Sequence, residues 1–549
     1  MLTLTLAVLL ACPQDFGNLG GDATRSGSST EIGPRAATPL WTSNTPSVFG
    51  GAFPHIFDGA VFSARQTAPA TAADPMDRIE ARDLETGAVL WTAQVPWAGD
   101  PMVESRAWIA GVADGRVFAL RTRFSLEGQP VHAFDAATGA FLWSSSDLGA
   151  VIEEEGAVFA PNGDPVIGGE SFVARLDAVT GATLWSTPRR CNFGESGATI
   201  FGDAVYIVDF PFFDSWRLVR LDLATGARTY FGAELNGIPT GQNQPFCGPD
   251  GTVYWPRVVG PPVTALVALE DTGMELRERW SFPMLDTEFH HHGVGSDGSV
   301  YTFDVQGRIV RLDPATGSVL HTGPALLDPN RQNRPLTLVD GAGNVYVSNV
   351  SSAGSVSEPS GRLWCLSPDL SRLYFELVTS FPRLGGPALG GDGVLAFMDI
   401  DGLRTYRESE VGTALCTSIT PNSTGEFGET VARGSLVATS DRLHLTARNL
   451  PRNAFGYFIV SQGFDPLASA GGNLNFCLDG SIGRYVTNVQ SSGAFGRFQQ
   501  VLDLTEIPQP TGAVPGLAGQ TWYFQSWHRD SVGGAATFDF SHVVEMTLQ

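Results

Sequence analysis

A chain of 549 residues, 43% of them hydrophobic, can bury more than one core, so a large domain and a smaller one fit its length. All 34 basic residues are Arg, Lys is absent, and 57 acidic residues bring the net charge to −23. That charge repels a phosphate backbone and an anionic membrane surface, and without an ε-amine neither a Walker-type phosphate loop nor Schiff-base chemistry can be assembled.

The chain opens on an apolar stretch, Met1 to Cys12, whose last residues Leu9-Leu10-Ala11-Cys12 resemble a lipobox. In that reading small Ala11 precedes the cleaved bond and Cys12 takes the lipid; the competing reading is an apolar first strand with an incidental Cys. No Arg precedes the stretch, whereas a secretory signal carries a positive n-region. Residues 1–12 are therefore expected to be a signal or lipobox-like segment and 13–32 a linker. The protein is expected to be exported to the periplasm, outer membrane or cell surface, with membrane contact only through the lipid. No other stretch is long enough to span a bilayer.

Two short phrases then alternate. The first, Asp-x-x-Thr-Gly with a bulky residue four positions on, begins at Asp83, Asp135, Asp177, Asp222 and Asp313 and ends at Trp91, Trp143, Trp185, Tyr230 and His321. Each copy predicts a hairpin, because Asp accepts hydrogen bonds from the amides ahead of it and Gly supplies a positive φ. The second is a turn Gly leading into Val and an aromatic, at Gly59, Gly115, Gly156, Gly251, Gly298 and Gly343, with looser copies at Asp203 and Asp392. Eight marks at intervals of roughly 40 to 55 residues have the period of a four-stranded propeller blade. Segments such as Ala204-Val-Tyr-Ile-Val208 are β-branched and aromatic, which excludes a helical solenoid. The first phrase is most decayed at Leu366-Ser-Pro-Asp-Leu370, where a merger of the seventh and eighth units is conceivable.

These residues resemble the pyrroloquinoline-quinone (PQQ)-type propeller repeat, Ala-x-Asp-x-x-Thr-Gly-x-x-x-Trp, most closely at Ala81 to Trp91 and Ala133 to Trp143. The resemblance covers residues 33–407 and implies an eight-bladed PQQ-like β-propeller in which Trp91, Trp143 and Trp185 dock against the neighbouring blade, with Trp41 and Trp280 as equivalents. It is specific for fold and poor for function, since quinone dehydrogenases, barrel-assembly lipoproteins and plain binding modules share the scaffold.

After Arg407 the repeats stop, and strands such as Leu443–Ala447 and Tyr457–Val460 with frequent turns predict an antiparallel β-sandwich over 408–549. The overall class is all-β. Segments such as Cys477 to Arg484 and Thr521 to Asp530 resemble a C-terminal module of secreted bacterial proteins, which by analogy implies display, sorting or adhesion. Past Cys12, a bridge inside each domain would join Cys191 to Cys247 and Cys416 to Cys477 and leave Cys365 free; buried thiols are the alternative.

Few residues suggest chemistry. In His290-His291-His292, strand alternation allows only His290 and His292 to share a face, and they are the weak metal candidates; a solvated loop tip, or one His lining a central channel, is the simpler reading. Quinone enzymes of this fold carry an adjacent Cys pair, absent here, and Asp399-Ile-Asp401-Gly402 reads as a turn. Asn349 and Asn422 begin sequon-like triplets that also read as turns. No catalytic residue is assigned, no cofactor is expected, and PQQ or a divalent metal would be required only by the rival reading. The expectation is a non-catalytic, lipid-anchored scaffold that holds an envelope protein or surface polysaccharide, does not bind nucleic acid, and has a quinone- or metal-dependent periplasmic oxidoreductase as its rival.

Overall fold

The computed structural model describes residues 16–43, 53–65, 78–96, 105–123, 130–145, 156–169, 171–190, 197–209, 216–235, 244–260, 263–287, 291–349, 351–352, 361–379, 385–399, 402–416, 420–440, 442–468 and 475–549. Cys12, Glu153 to Glu155, Cys191, His290 and Asp401 lie outside them. The chain divides into a unit spanning Asp15–Arg407 and another that includes Glu408–Gln549.

Eight four-stranded antiparallel sheets make up the first unit. Each is a meander counted from its inner strand, and the blades span 55–93, 105–145, 158–188, 199–235, 246–284, 293–325 and 336–379. The eighth combines Gly385–Gly390, Val394–Asp399 and Gly402–Tyr406 with Pro39–Thr42 as its outer strand, so the two ends of the unit close one sheet. A complete turn at Ser367 to Arg372, held by Asp369, separates the last strands of blade seven, and the seventh and eighth units are distinct.

The Asp-x-x-Thr-Gly phrase joins the third and fourth strands of its blade. At Asp135 the carboxylate accepts from the Thr138 amide at 2.8 Å and its hydroxyl at 2.7 Å, and Gly139 has φ +71°. The Trp of the preceding blade lies over that glycine: a Cβ on Gly139 would stand 2.6 Å from the Trp91 indole. Trp91 Nε1 also donates to the Ala136 carbonyl at 2.9 Å. Trp143 reaches Ala178, Trp185 reaches Leu223, Trp280 reaches Pro314, and Trp41 reaches Leu84, which carries the pattern across the closure.

Three interfaces lack the indole, and a tyrosine on the second strand takes its place. Tyr206 donates to Asp271 at 2.6 Å, Tyr301 to the Pro368 carbonyl at 3.0 Å, and Tyr346 to the Pro34 carbonyl at 3.1 Å. Arg220 and Arg311 accompany the first two, bonding Asp271 and Pro368. Arg407, paired with Glu85 and Asp392, ties the last strand to blade one.

The Gly-x-Val-aromatic phrase marks the turn between first and second strands in seven blades. Gly156 is the exception: it leads into the inner strand Val158–Phe159, and the corresponding turn of blade three runs from Ala160 to Asp164 around Gly163. Both phrases therefore sit on one rim of the ring, because in a four-stranded meander the first and third turns share a side.

The second unit is a sandwich. A sheet of Glu410–Val411, Glu429–Gly434, Leu443–Arg448 and Phe498–Val501 packs on a larger one built on Phe455–Ser461, Thr521–Val532 and Val543–Thr547. Ala432, Leu445, Phe458, Phe498, Trp522 and Met546 fill the space between. A second layer around Phe476 and Leu478 covers the outer face of the larger sheet, tied down by the Cys416–Cys477 disulfide. Cys247 and Cys365 are buried thiols outside any disulfide, so Cys247 takes the buried-thiol alternative. Both sequon asparagines are buried and committed: Asn349 Nδ2 bonds Asn333, and Asn422 Oδ1 caps the Thr424 amide.

Candidate binding site on the propeller axis

From Phe16 on, the segment expected to be a linker packs instead against the inner strands of the ring. From Phe16 to Ile32 most residues are buried, and the segment visits the inner strands nearly in blade order. Carbonyls of Phe16, Gly17, Ala23, Thr24, Ser26 and Gly27 accept from Ile56, Val112, Ile200, Cys247, Val294 and Val339, at 2.6 to 2.9 Å. Glu31 completes the circuit by accepting the Gly341 and Asp392 amides. A segment rich in Gly, Ser and Thr buries little apolar area, so these backbone bonds are what repay its ordering.

Its own coil is set by Asp22, whose carboxylate accepts from the Thr24 amide at 2.9 Å and the Thr24 hydroxyl at 2.7 Å. Gly27, at φ +63°, is required by approach as well as conformation: a Cβ there would lie 2.5 Å from the carbonyl oxygens of both His292 and Thr337. Arg25, 1% exposed, donates to Ala198 O at 2.7 Å, Leu19 O at 3.0 Å and Gly156 O at 3.2 Å, joining blades three and four to the segment. A buried guanidinium is tolerated here because carbonyl dipoles replace its water.

Beside this plug a small cavity of about 20 Å³, room for about one water molecule, remains among the starts of the inner strands. Phe16, Leu19, Phe53, Pro54, Leu336 and Pro387 give it apolar walls. Asn18, Thr337 and His291 also line it, and no Arg, Asp or Glu does among the described residues. Asn18 is 2% exposed and spends its amide nitrogen on the Asp22 carbonyl at 2.8 Å, which turns Oδ1 the other way. That oxygen and the Thr337 hydroxyl are buried with no protein partner among the described residues. On the same axis His55 bridges the Gly17 and Ile109 carbonyls at 3.1 and 3.2 Å, and burial lowers its pKa to about 4.

His291 and His292, the described part of the histidine run, do not form a solvated tip. His291 and His292 are buried, His291 lines the pocket, and His292 stacks on Phe246 with centroids 4.7 Å apart. No three His, Cys, Asp or Glu converge as metal ligands among the described residues. A tricyclic polycarboxylate such as PQQ needs cationic partners, and the pocket's apolar and neutral donor set among the described residues does not fit one. Asn18 and Thr337 were invisible as site residues in the sequence, since nothing local marks a linker-like Asn or a strand Thr as facing an axis.

Residues 75–230 match a family model described as outer membrane protein assembly factor BamB. Among solved structures, BamB from Moraxella catarrhalis is 16% identical, with 67% of this chain and 97% of that one covered at a TM-score of 0.46. A computationally designed protein, Ika8, is 12% identical over 69% of this chain and 100% of its own, at 0.47. A europium-containing methanol dehydrogenase is 13% identical over 80% and 90%, at 0.35. No curated protein matches the sequence.

Proposed function

Because the chain is a PQQ-like β-propeller repeat protein similar to BamB, we propose that it is an exported, non-catalytic scaffold that holds an envelope protein on its propeller, with a lipid on Cys12 as its membrane tether. The observation that carries this reading is the occupied axis: the protein's own Phe16–Pro34 segment fills the place where a propeller enzyme would bind a large cofactor. A ring closed by its outer strand and wedged at its interfaces is a rigid platform, and loops on such platforms are where recognition sits. The Arg-for-Lys composition suits this role, since guanidinium forks such as Arg175 on Asp164 and Arg404 on Asp399 brace blades bidentately or from a fixed plane.

The test is site-specific photo-crosslinking in the native host, with the reactive group placed in turn on each rim of the propeller. The scaffold reading expects a discrete envelope-protein adduct from one rim and loss of membrane fractionation on Cys12→Ser. Purified protein with a stoichiometric quinone spectrum or metal, and no adduct from either rim, would establish the oxidoreductase instead.

A further inference from the structure

We propose that the outer face of the sandwich's larger sheet binds an acidic polysaccharide, a chain of sugars that carry carboxylates. The site lies in the Glu408–Gln549 unit and is independent of the scaffold role proposed for the propeller. Along Thr521–Val532 the side chains alternate: Trp522 and Phe524 enter the core between the sheets, so Trp527 and Arg529 face outward. Register then fills two rows. Tyr457 and Phe540 pair with Trp527, Phe538 pairs with Arg529, and the place beyond the Gly456–His528 pair brings Phe455 level with Arg529. Phe476 covers Phe540, with ring centroids 5.1 Å apart, whereas Tyr457, Trp527 and Phe538 are half-buried and Phe455 is 53% exposed. The Trp527 ring lies 5.0 Å from Tyr457 and 6.2 Å from Phe538, with planes differing by only 33° and 29°, so the three form a ribbon of aromatic surface. Arg529 is exposed beside it and pairs with no acid among the described residues, while Arg433, Arg442 and Arg448 of the same unit each hold a Glu. In a chain with 57 acidic and 34 basic residues, a guanidinium left without a carboxylate is the exception, and it can take one from outside.

A uronic acid unit meets both halves of the site. The C–H face of its ring is apolar and slightly positive, which suits the negative face of an aromatic ring, and on an open surface its hydroxyls stay in water. Its exocyclic carboxylate can accept two parallel hydrogen bonds from the Arg529 guanidinium. Competing occupants fit less well. A single-stranded nucleic acid also stacks on aromatics, but one Arg does not offset a net charge of −23 against a phosphate backbone. An anionic lipid surface meets the same repulsion, and half-buried rings set in a sheet do not project far enough to enter a headgroup layer. A neutral glycan would use the rings and leave Arg529 idle.

The experiment is calorimetric titration of the full chain with oligomers of galacturonic, glucuronic and mannuronic acid, with the same oligomers after reduction of their carboxyl groups to alcohols, with poly-L-glutamate, and with phosphatidylglycerol vesicles. At least one uronic oligomer is expected to bind about tenfold more tightly than its reduced form, and polyglutamate and vesicles are expected to give no saturable heat. Arg529→Gln is expected to remove that tenfold advantage and leave the reduced form unchanged, whereas Phe455→Ala is expected to weaken both forms about fivefold. Both side chains are exposed, so an unchanged unfolding midpoint in each variant assigns the loss to the site and not to the fold. Failure of all three oligomers to bind, equal affinity for acid and reduced forms, saturable binding of polyglutamate or vesicles, or uronate binding that neither substitution alters overturns the inference. None of these outcomes touches the crosslink from the propeller rim, so the two readings fail separately.

Discussion

Trp143 and His321 hold equivalent places after the Asp-x-x-Thr-Gly phrase, yet replacing each with Ala is expected to have very different consequences. Trp143 is 8% exposed, covers Gly181 and donates to Ala178 O, whereas His321 is exposed. Truncating a buried indole costs about 3–5 kcal/mol, and the orphaned carbonyl adds about 1 kcal/mol. His321→Ala removes little buried area and is expected to stay within about 0.5 kcal/mol. For the unit Asp15–Arg407, an unfolding entropy of about 2.1 cal/mol/K per residue makes about 5 kcal/mol equal to a fall of roughly 6 °C. Differential scanning calorimetry and urea titration on both variants provide the assay. Similar shifts for the two, or a Trp143→Ala effect below about 1 kcal/mol, would refute the view that the indoles wedge the ring.

Acid should weaken the propeller. Burial lowers both His55 and His132 to about 4, with Arg121 adding to the effect at His132. A base with a depressed native pKa binds fewer protons when folded, so this stability is complete above about pH 6.5 and is lost as pH falls toward about 4, at about 1.4 kcal/mol per pH unit for each ring. Asp340, pushed up to about 6 by burial, works the other way below that pH, and the net loss from about pH 6.5 to about pH 5 is expected to be about 3 kcal/mol. Urea midpoints that do not move over that range would contradict this. In the sandwich, the double variant Cys416→Ser, Cys477→Ser opens a loop of 61 residues, and chain entropy sets the loss at about 4 kcal/mol, read from denaturant unfolding of the Glu408–Gln549 unit. Tyr206→Phe, which deletes the hydroxyl on Asp271 at an interface lacking Trp, is expected to cost about 1–2 kcal/mol by the same method, with an unchanged midpoint as the contrary result.

One rim of the propeller was legible in the sequence because its turns obey strict local rules: an Asp to cap the amides, a Thr to share the carboxylate, and a Gly at positive φ. The other rim repeats no phrase, since its connections run from Asp304 to Gly307 in one blade to 66–77 in another. Gly156 shows where local rules stop. It has the right neighbours and a φ of +59°, but it precedes an inner strand, and only pairing distinguishes the two settings. The missing indoles were readable in Tyr230, His321 and Phe375 on the outer strands, but the tyrosine contacts were not, since Tyr254 holds the same second-strand place as Tyr206, Tyr301 and Tyr346 in a blade that carries Trp280. The plug was not, because its Gly, Ser and Thr content describes a flexible linker and a backbone-bonded coil equally well, and only the facing inner strands decide between them.

Hydrogen exchange at the amides of Ile200, Cys247, Val294 and Val339 tests the occupied axis most directly, since each donates to a carbonyl of the Phe16–Pro34 segment. The plugged ring predicts that these four amides, and those of Arg25 and Gly27 within the segment, exchange as slowly as the middle strands of the blades. Exchange at the rate of exposed loops would show an open channel and remove the basis for the scaffold role.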